Sequence, residues 1–248
     1  MPAMQDLKLK WLFFWWAMAC FWFASWLSPS TRALWDCLDQ ALFFGLNGLV
    51  ANESLWQDFW AFTNWRPFDT IGGGLIILIA MSWVYSLPRH KRLQALSSMA
   101  VLLFIILVTR FSTAFILYLT DYQRTSPSLV LTPSYRLSEL VTWVYAKDYH
   151  NDCFPGDHGY VVITCIVFFF IKAGRRWGSV SLILLPFILP RLVSGAHWAT
   201  DILIGSVTMA LVSLPLLLAT PLYRWITSLT GKALKLLFRP LLSAIKIA

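Results

Sequence analysis

Apolar residues run along this chain in long unbroken blocks. The blocks at 11–27, 70–87, 95–119, 159–173, 179–190 and 199–221 are each long enough, or nearly so, to cross a bilayer as a helix. None shows the period-two alternation of an outer-membrane strand, so helices are expected rather than a barrel. The block at 179–190 is short, ends at Pro190 and is the weakest of the six. Within 28–69, "LWDCLDQALFFGLNGLV" repeats its apolar positions at helical spacing, which predicts one or two interfacial helices. Residues 120–158 form the longest polar stretch. Tyr, Trp, Leu and Val run through it, so an ordered outer cap is expected. After the sixth block, residues 222–248 alternate basic and apolar positions. They read as an amphipathic cytoplasmic tail on an anionic leaflet, broken near Pro240. No repeat, low-complexity tract or linker interrupts residues 1–248, which read as one membrane domain.

Composition narrows the class further. The chain is 58% hydrophobic and 13% charged, with 14 Trp and 18 Phe, which no soluble domain of this length would carry. The expected fold is therefore all-α, a polytopic membrane bundle of about six transmembrane helices. Lys8 and Lys10 ahead of the first block resemble a leader. The block is long, rich in Trp and Phe, and lacks a small-x-small site, so an uncleaved anchor is expected.

Charge sets the orientation. With six spans, Lys8, Lys10, Arg89, Lys91, Arg92, Lys172, Arg175, Arg176 and the basic tail share one side with a single acid, Asp6, while Glu53 and the other acids fall on the opposite side. Both termini are then cytoplasmic, and 28–69, 120–158 and 191–200 face outward. The net charge of +8 is a topology signal, and no nucleic-acid partner is expected. Cys20 and Cys165 fall in apolar blocks as packing residues, whereas Cys37 and Cys153 lie on the outer side, where a disulfide is chemically allowed. Gly72-Gly73-Gly74 has no Lys-Ser/Thr after it and reads as close helix packing.

Three short segments carry candidate chemistry: "RTSP" at 124–127, "PGDH" at 155–158 and "PRLVSGAHWATD" at 190–201. With an even number of spans between them, all three reach the outer face. Guanidinium forks match phosphate oxygens. His158 opens a helix, where free N–H groups favour an anion. His197 and Asp201 are four apart and would share a face if the sixth helix begins there. The carboxylate would fix the imidazole tautomer and leave the other ring nitrogen to attack phosphorus, while a second histidine protonates the departing oxygen. Singly, each residue has a plainer reading: a solvated histidine, a snorkelling Arg191, or Arg124 and Arg136 paired with nearby acids. Together, on one face, they point to phosphoryl transfer without a cofactor or metal.

These motifs resemble the type 2 phosphatidic acid phosphatase (PAP2) superfamily. Arg191, His197 and Asp201 match its third motif, "PGDH" takes the place of Pro-Ser-Gly-His, and "RTSP" that of its Arg-Pro motif. "RTSPSLVL", "SEL", "KD…FPGDHG" and "PRLVSGAHWATDILIGS" resemble the bacterial lipid A 1-diphosphate synthase subgroup, over about residues 60–221. The resemblance implies His197 as nucleophile, Asp201 as its orienter and His158 as general acid. It also implies Arg124, Arg191 and the Gly156 N–H as phosphate ligands. It departs where the motif lysine becomes Leu117, where Ser-Gly becomes Gly156-Asp157, and at Pro190. Lys147, Arg136 or Arg110 would replace the lysine, Lys147 first. Asp157 would be a helix N-cap, or would neutralise an arginine, contact acceptor lipid or tune His158. Arg110 inside a span needs a partner.

The activity so implied moves the terminal phosphate of undecaprenyl diphosphate to the 1-phosphate of lipid A, at the periplasmic face of the inner membrane. A lipid diphosphate phosphatase using water is the rival reading, and a non-catalytic lipid transporter a more distant one. Against transport, the polar residues cluster at one edge rather than at the midplane.

Overall fold

The computed structural model describes residues 2–51 and 54–244; Glu53 and Lys246, both counted in the charge pattern, lie outside them. The chain is an all-α polytopic membrane protein. Its helices are α1 (Pro2–Leu27), α2 (Pro29–Asn47), α3 (Ser54–Thr63), α4 (Arg66–Ser86), α5 (Arg89–Thr120), the one-turn α6 (Pro127–Val130) and α7 (Leu137–Leu140), α8 (Asp157–Lys172), α9 (Arg175–Ser181), α10 (Leu189–Val193), α11 (Val207–Ala219) and α12 (Leu222–Ala244). A 3₁₀ stretch containing Pro186 joins α9 to α10, and a π-helical turn, Asp201–Ser206, leads into α11. Among the described residues the one β-type pairing is an isolated bridge, Trp65 to Ala146.

All six apolar blocks fall on helix, but their lengths differ. Arg66–Ser86, Arg89–Thr120, Arg175–Val193 and Asp201–Ala219 are long and apolar enough to span, and Leu9–Leu27 with Pro29–Val50 makes a fifth, bent by 80°. α8 has 16 residues. At 1.5 Å per residue that is about 24 Å, short of the ~30 Å apolar thickness. The weakest block, 179–190, is instead part of a helical run from Arg175 to Val193.

The main core joins α4, α5, α8 and α11 through Trp83, Val101, Phe168, Phe169 and Leu217. α1 lies along α11 and the π-helical turn before it, where the Trp16 indole donates to the Val212 carbonyl at 3.2 Å and the Trp22 indole to the Leu203 carbonyl at 2.7 Å. Phe21, Ile77, Phe104, Phe111 and Phe115 point outward, as lipid solvation allows. The tail helix α12, kinked at Phe238, packs against α5, with Tyr223 bonded to Ser98 at 2.7 Å.

Polar side chains fasten the 120–158 segment over the bundle. Asn47 Nδ2 donates to the Tyr135 and Val193 carbonyls, both at 3.0 Å. Ser126 Oγ donates to the Ala196 carbonyl at 2.7 Å and accepts from the His150 N–H at 2.7 Å. The Lys147 N–H donates to the Asn64 carbonyl at 3.2 Å. These bonds satisfy backbone groups that would otherwise be orphaned, and they fix where Lys147 and His150 point.

The cysteine pair expected as a candidate disulfide is not formed: Cys37 is exposed, Cys153 is buried, and both are free. The glycine run divides. A Cβ on Gly72 would stand 3.0 Å from the Phe187 ring, a close helix approach, whereas Gly73 and Gly74 face open space.

Candidate active site

The three motif segments meet. Gly195 adopts φ +71°, and a Cβ there would lie 2.7 Å from Phe43, so the turn tolerates glycine alone. The turn brings the His197 N–H back to the Arg191 carbonyl at 3.1 Å. His197 thus precedes the helix and does not share a helical face with Asp201, as the i, i+4 spacing had predicted. The pair forms nonetheless across the turn: Asp201 Oδ2 lies 3.3 Å from His197 Nδ1 and accepts the Trp198 N–H at 2.9 Å. Asp201 opens the π-helical turn, a widened geometry that recurs at functional sites.

A cavity of about 480 Å³ opens beside this pair. Its polar wall includes His197, His158, His150, Lys147, Arg110, Asp69, Asp152 and Asp157, and its apolar floor is Gly72, Gly73, Ile76, Val161, Val162, Leu184 and Phe187. The two candidate histidines therefore face one space, with apolar surface directly beneath.

The two arginines expected as phosphate ligands sit behind that wall. Arg124 binds Asp201 Oδ1, Thr200 Oγ1 at 2.9 Å and Asp39 Oδ2 at 2.9 Å, and packs over the Trp198 ring at 5.0 Å. Arg191 is 3% exposed. It grips Asp69 at 2.7 and 2.9 Å and comes within 3.4 Å of His158 Nε2. A buried guanidinium without a carboxylate is costly, and these carboxylates supply the compensation. Asp39 and Asp69 were both missed from sequence. Asp39 has a legible signal in retrospect: with Phe43 and Asn47 it forms the buried i, i+4, i+8 stripe of α2. Asp69, in the first turn of an apolar span, is the kind of intramembrane acid that asks for a partner.

Gly156 also differs from expectation. Its N–H donates to the Asp201 carbonyl at 3.0 Å, and a Cβ there would stand 3.1 Å from Ile202. It locks α8 to the π-helical turn and offers no free donor to the cavity. Asp157 is the first residue of α8, with Gly156 as N-cap and no side-chain cap bond, so the capping reading fails. Its carboxylate pairs with Arg110 Nε at 2.9 Å, the arginine-neutralising alternative, which also gives Arg110 the partner it needs.

Of the three candidates for the missing lysine, Lys147 and Arg110 line the cavity. Arg136 does not: it pairs with Glu139 at 2.6 Å and lies over Tyr149. Burial, with Arg191 and Arg66 nearby, holds Lys147 below the ordinary lysine range, against Asp69 and Asp157.

Two further wall residues, His150 and Cys153, were not among the site residues expected from sequence. The His150 ring is 6.2 Å from the His197 ring. Burial, with Lys147 and His197 nearby, pushes its pKa down to about 4, so it is neutral at physiological pH. Cys153 is buried, and burial beside Asp201 pushes its thiol up, so it stays protonated. Cys153, His197 and Asp201 offer atoms within 4.8 Å of one another, the one metal-compatible group among the described residues. That donor set is already committed, because a metal would need a thiolate and a carboxylate not engaged by Arg124.

The chain is 33% identical over 204 residues to the lipid A 1-diphosphate synthase of Escherichia coli (strain K12), a match covering 81% of this chain and 83% of that protein. No protein-family model matches the chain, and no solved structure matches it.

Proposed function

The chain belongs to the lipid A 1-diphosphate synthase family, and from that membership we propose that it is a lipid phosphotransferase working through a phosphohistidine. The donor is undecaprenyl diphosphate, the acceptor is the 1-phosphate of lipid A, and the site faces the periplasm at the inner membrane. The observation that carries this is one cavity lined by three histidines, the candidates His158 and His197 among them, with Lys147 and Arg110 above an apolar floor. It fits a phosphate attached to a hydrocarbon chain, whose headgroup would meet Lys147 and Arg110 while the isoprenoid leaves along Gly73, Ile76 and Phe187.

In the first half-reaction His197 Nε2 donates its lone pair to the terminal phosphorus. The bridging P–O bond breaks, and undecaprenyl phosphate leaves with that electron pair and a proton from His158. Asp201 keeps the His197 proton on Nδ1 and stabilises the charged ring. In the second, a phosphate oxygen of lipid A forms the new P–O bond, the P–N bond returns its pair to His197, and His158 regains a proton. Arg124 acts through Asp201, and Arg191 through Asp69 and His158, as positioning residues.

The test uses purified protein in detergent and donor labelled in its terminal phosphate, with and without lipid A, and His197→Ala as control. Label moving to lipid A with little free phosphate supports the transferase. Label released as inorganic phosphate whether or not lipid A is present makes the protein a phosphatase. A transporter would move no label.

A further inference from the structure

Both half-reactions pass a phosphate monoester through the same position opposite His197. The phosphate itself therefore cannot tell acceptor from departing carrier, and discrimination must come from what lies behind it. A second cavity, of about 350 Å³, lies next to the first. The two share Arg110, Asp152, Pro155 and Asp157, so the Arg110–Asp157 pair stands in the common wall. Beyond that wall the lining changes. The first cavity continues over apolar floor, whereas the second presents Thr113, Tyr118, Asp121, Tyr122 and Gln123.

That lining has the chemistry of carbohydrate recognition: aromatic faces for C–H surfaces, and carboxylates and an amide for hydroxyl and amino groups. It offers little to an isoprenoid. The chain folds back to build it. Asp121 ends α5 in the left-handed region at φ 48°, which returns Tyr122 and Gln123 over the last turn of the helix. On the same end of α5, Phe111 and Phe115 are exposed, a surface against which acyl chains can remain in the bilayer.

We propose that this second cavity is the acceptor subsite, binding the phosphorylated amino sugar of lipid A so that its phosphate crosses the Arg110–Asp157 wall toward His197. The assignment rests on the phosphotransferase reading above. It makes Tyr118 and Gln123, which line only the second cavity, specificity-determining residues for the acceptor. It also gives the Gly156-Asp157 departure a use, since the carboxylate holds Arg110 where the two substrates meet.

The experiment compares wild type with the Tyr118→Ala/Gln123→Ala double variant, using labelled donor. The donor half-reaction without acceptor, the KM for lipid A, and inhibition by glucosamine 1-phosphate and by decyl phosphate are all measured. Expected is a roughly tenfold or greater rise in the lipid A KM and in the glucosamine 1-phosphate inhibition constant, the loss of a contact or two. The donor half-reaction and decyl phosphate inhibition should stay within about twofold, a change too small to count as a lost contact. An unchanged lipid A KM, or equal weakening toward both inhibitors, overturns the acceptor subsite while leaving the transferase standing. A donor half-reaction that falls in parallel also overturns it, because the residues then serve the donor or the fold. Wild-type protein that sends label to water regardless of lipid A sinks the transferase reading and this inference with it.

Discussion

Replacing Asp201 by Asn tests the His197 reading at its most sensitive point. The carboxylate is fully buried, and all its partners are donors. Oδ1 accepts from Arg124; Oδ2 accepts from the Trp198 N–H at 2.9 Å and lies 3.3 Å from His197 Nδ1. An Asn must place its NH₂ on one of these sides. Turned toward Arg124 it would set donor against a cation, so the amide oxygen stays there and the NH₂ faces Trp198 and His197. The imidazole then has to accept at Nδ1, which moves its proton to Nε2 and blocks the attacking lone pair. Loss of the correct tautomer in comparable His–Asp pairs costs a thousandfold to ten-thousandfold, or ~4–5.5 kcal/mol in the barrier. The fold should lose only about 1–3 kcal/mol, because Arg124 keeps its bond to Asp39. Rapid-quench measurement of label moving from donor to protein, beside a thermal melt, separates the two effects. A folded Asp201→Asn protein that phosphorylates within about tenfold of wild type would refute the tautomer argument.

Four other substitutions test the surroundings. Asp39→Asn leaves Arg124 and both Thr200 donors facing a neutral amide, and should lower stability by about 1–3 kcal/mol in a denaturation assay and slow turnover. His150 takes a proton near pH 4 when folded against its ordinary 6.5. The unfolded chain therefore binds a proton first, and stability falls as pH drops from about 6.5 to 4. His150→Gln should flatten that fall in melts across pH 4–7 and leave the pH–rate profile between about 5 and 8 unchanged. Gly159→Ala would put a Cβ 2.7 Å from Ser206 Oγ and 2.8 Å from Ile202 Cγ2. It should push α8 off the π-helical turn, destabilise the fold by an overpacking cost of about 1–3 kcal/mol and reduce activity, whereas Gly73→Ala, inside α4 with open space around it, should raise stability by about 0.4–1 kcal/mol.

Helix placement was legible because a bilayer demands long apolar runs, and each predicted block falls on helix. Span length was less legible: a run of apolar residues does not report that α8 begins only at Asp157 or that an 80° bend divides Leu9–Leu27 from Pro29–Val50. At the site, motif spacing singled out His158 and His197, which line one cavity, and Asp201, which lies against His197. Spacing did not distinguish a phosphate-binding role from a structural one for Arg124, Arg191 and Gly156, because both call for the same residue types. What separates them is a partner distant in the chain: Asp39 is 85 residues from Arg124, and Asp69 is 122 from Arg191. Gly156 is likewise decided by neighbours on another element: its N–H is taken by the Asp201 carbonyl, and Ile202 packs within 3.1 Å of where a Cβ would stand. Asp157 shows the reverse case, since one of the alternatives open in the sequence, pairing with an arginine, is the contact observed.

The most direct test of the central claim is to trap the phosphoenzyme. Wild-type protein is mixed with donor labelled in the terminal phosphate, without lipid A, quenched in alkali and digested, and the labelled peptide is mapped by mass spectrometry. The account predicts alkali-stable, acid-labile label on His197, absent from His197→Ala and discharged onto lipid A when acceptor is added before the quench. Label on another residue, or turnover with no label on protein at any time while His197→Ala remains active, would contradict it.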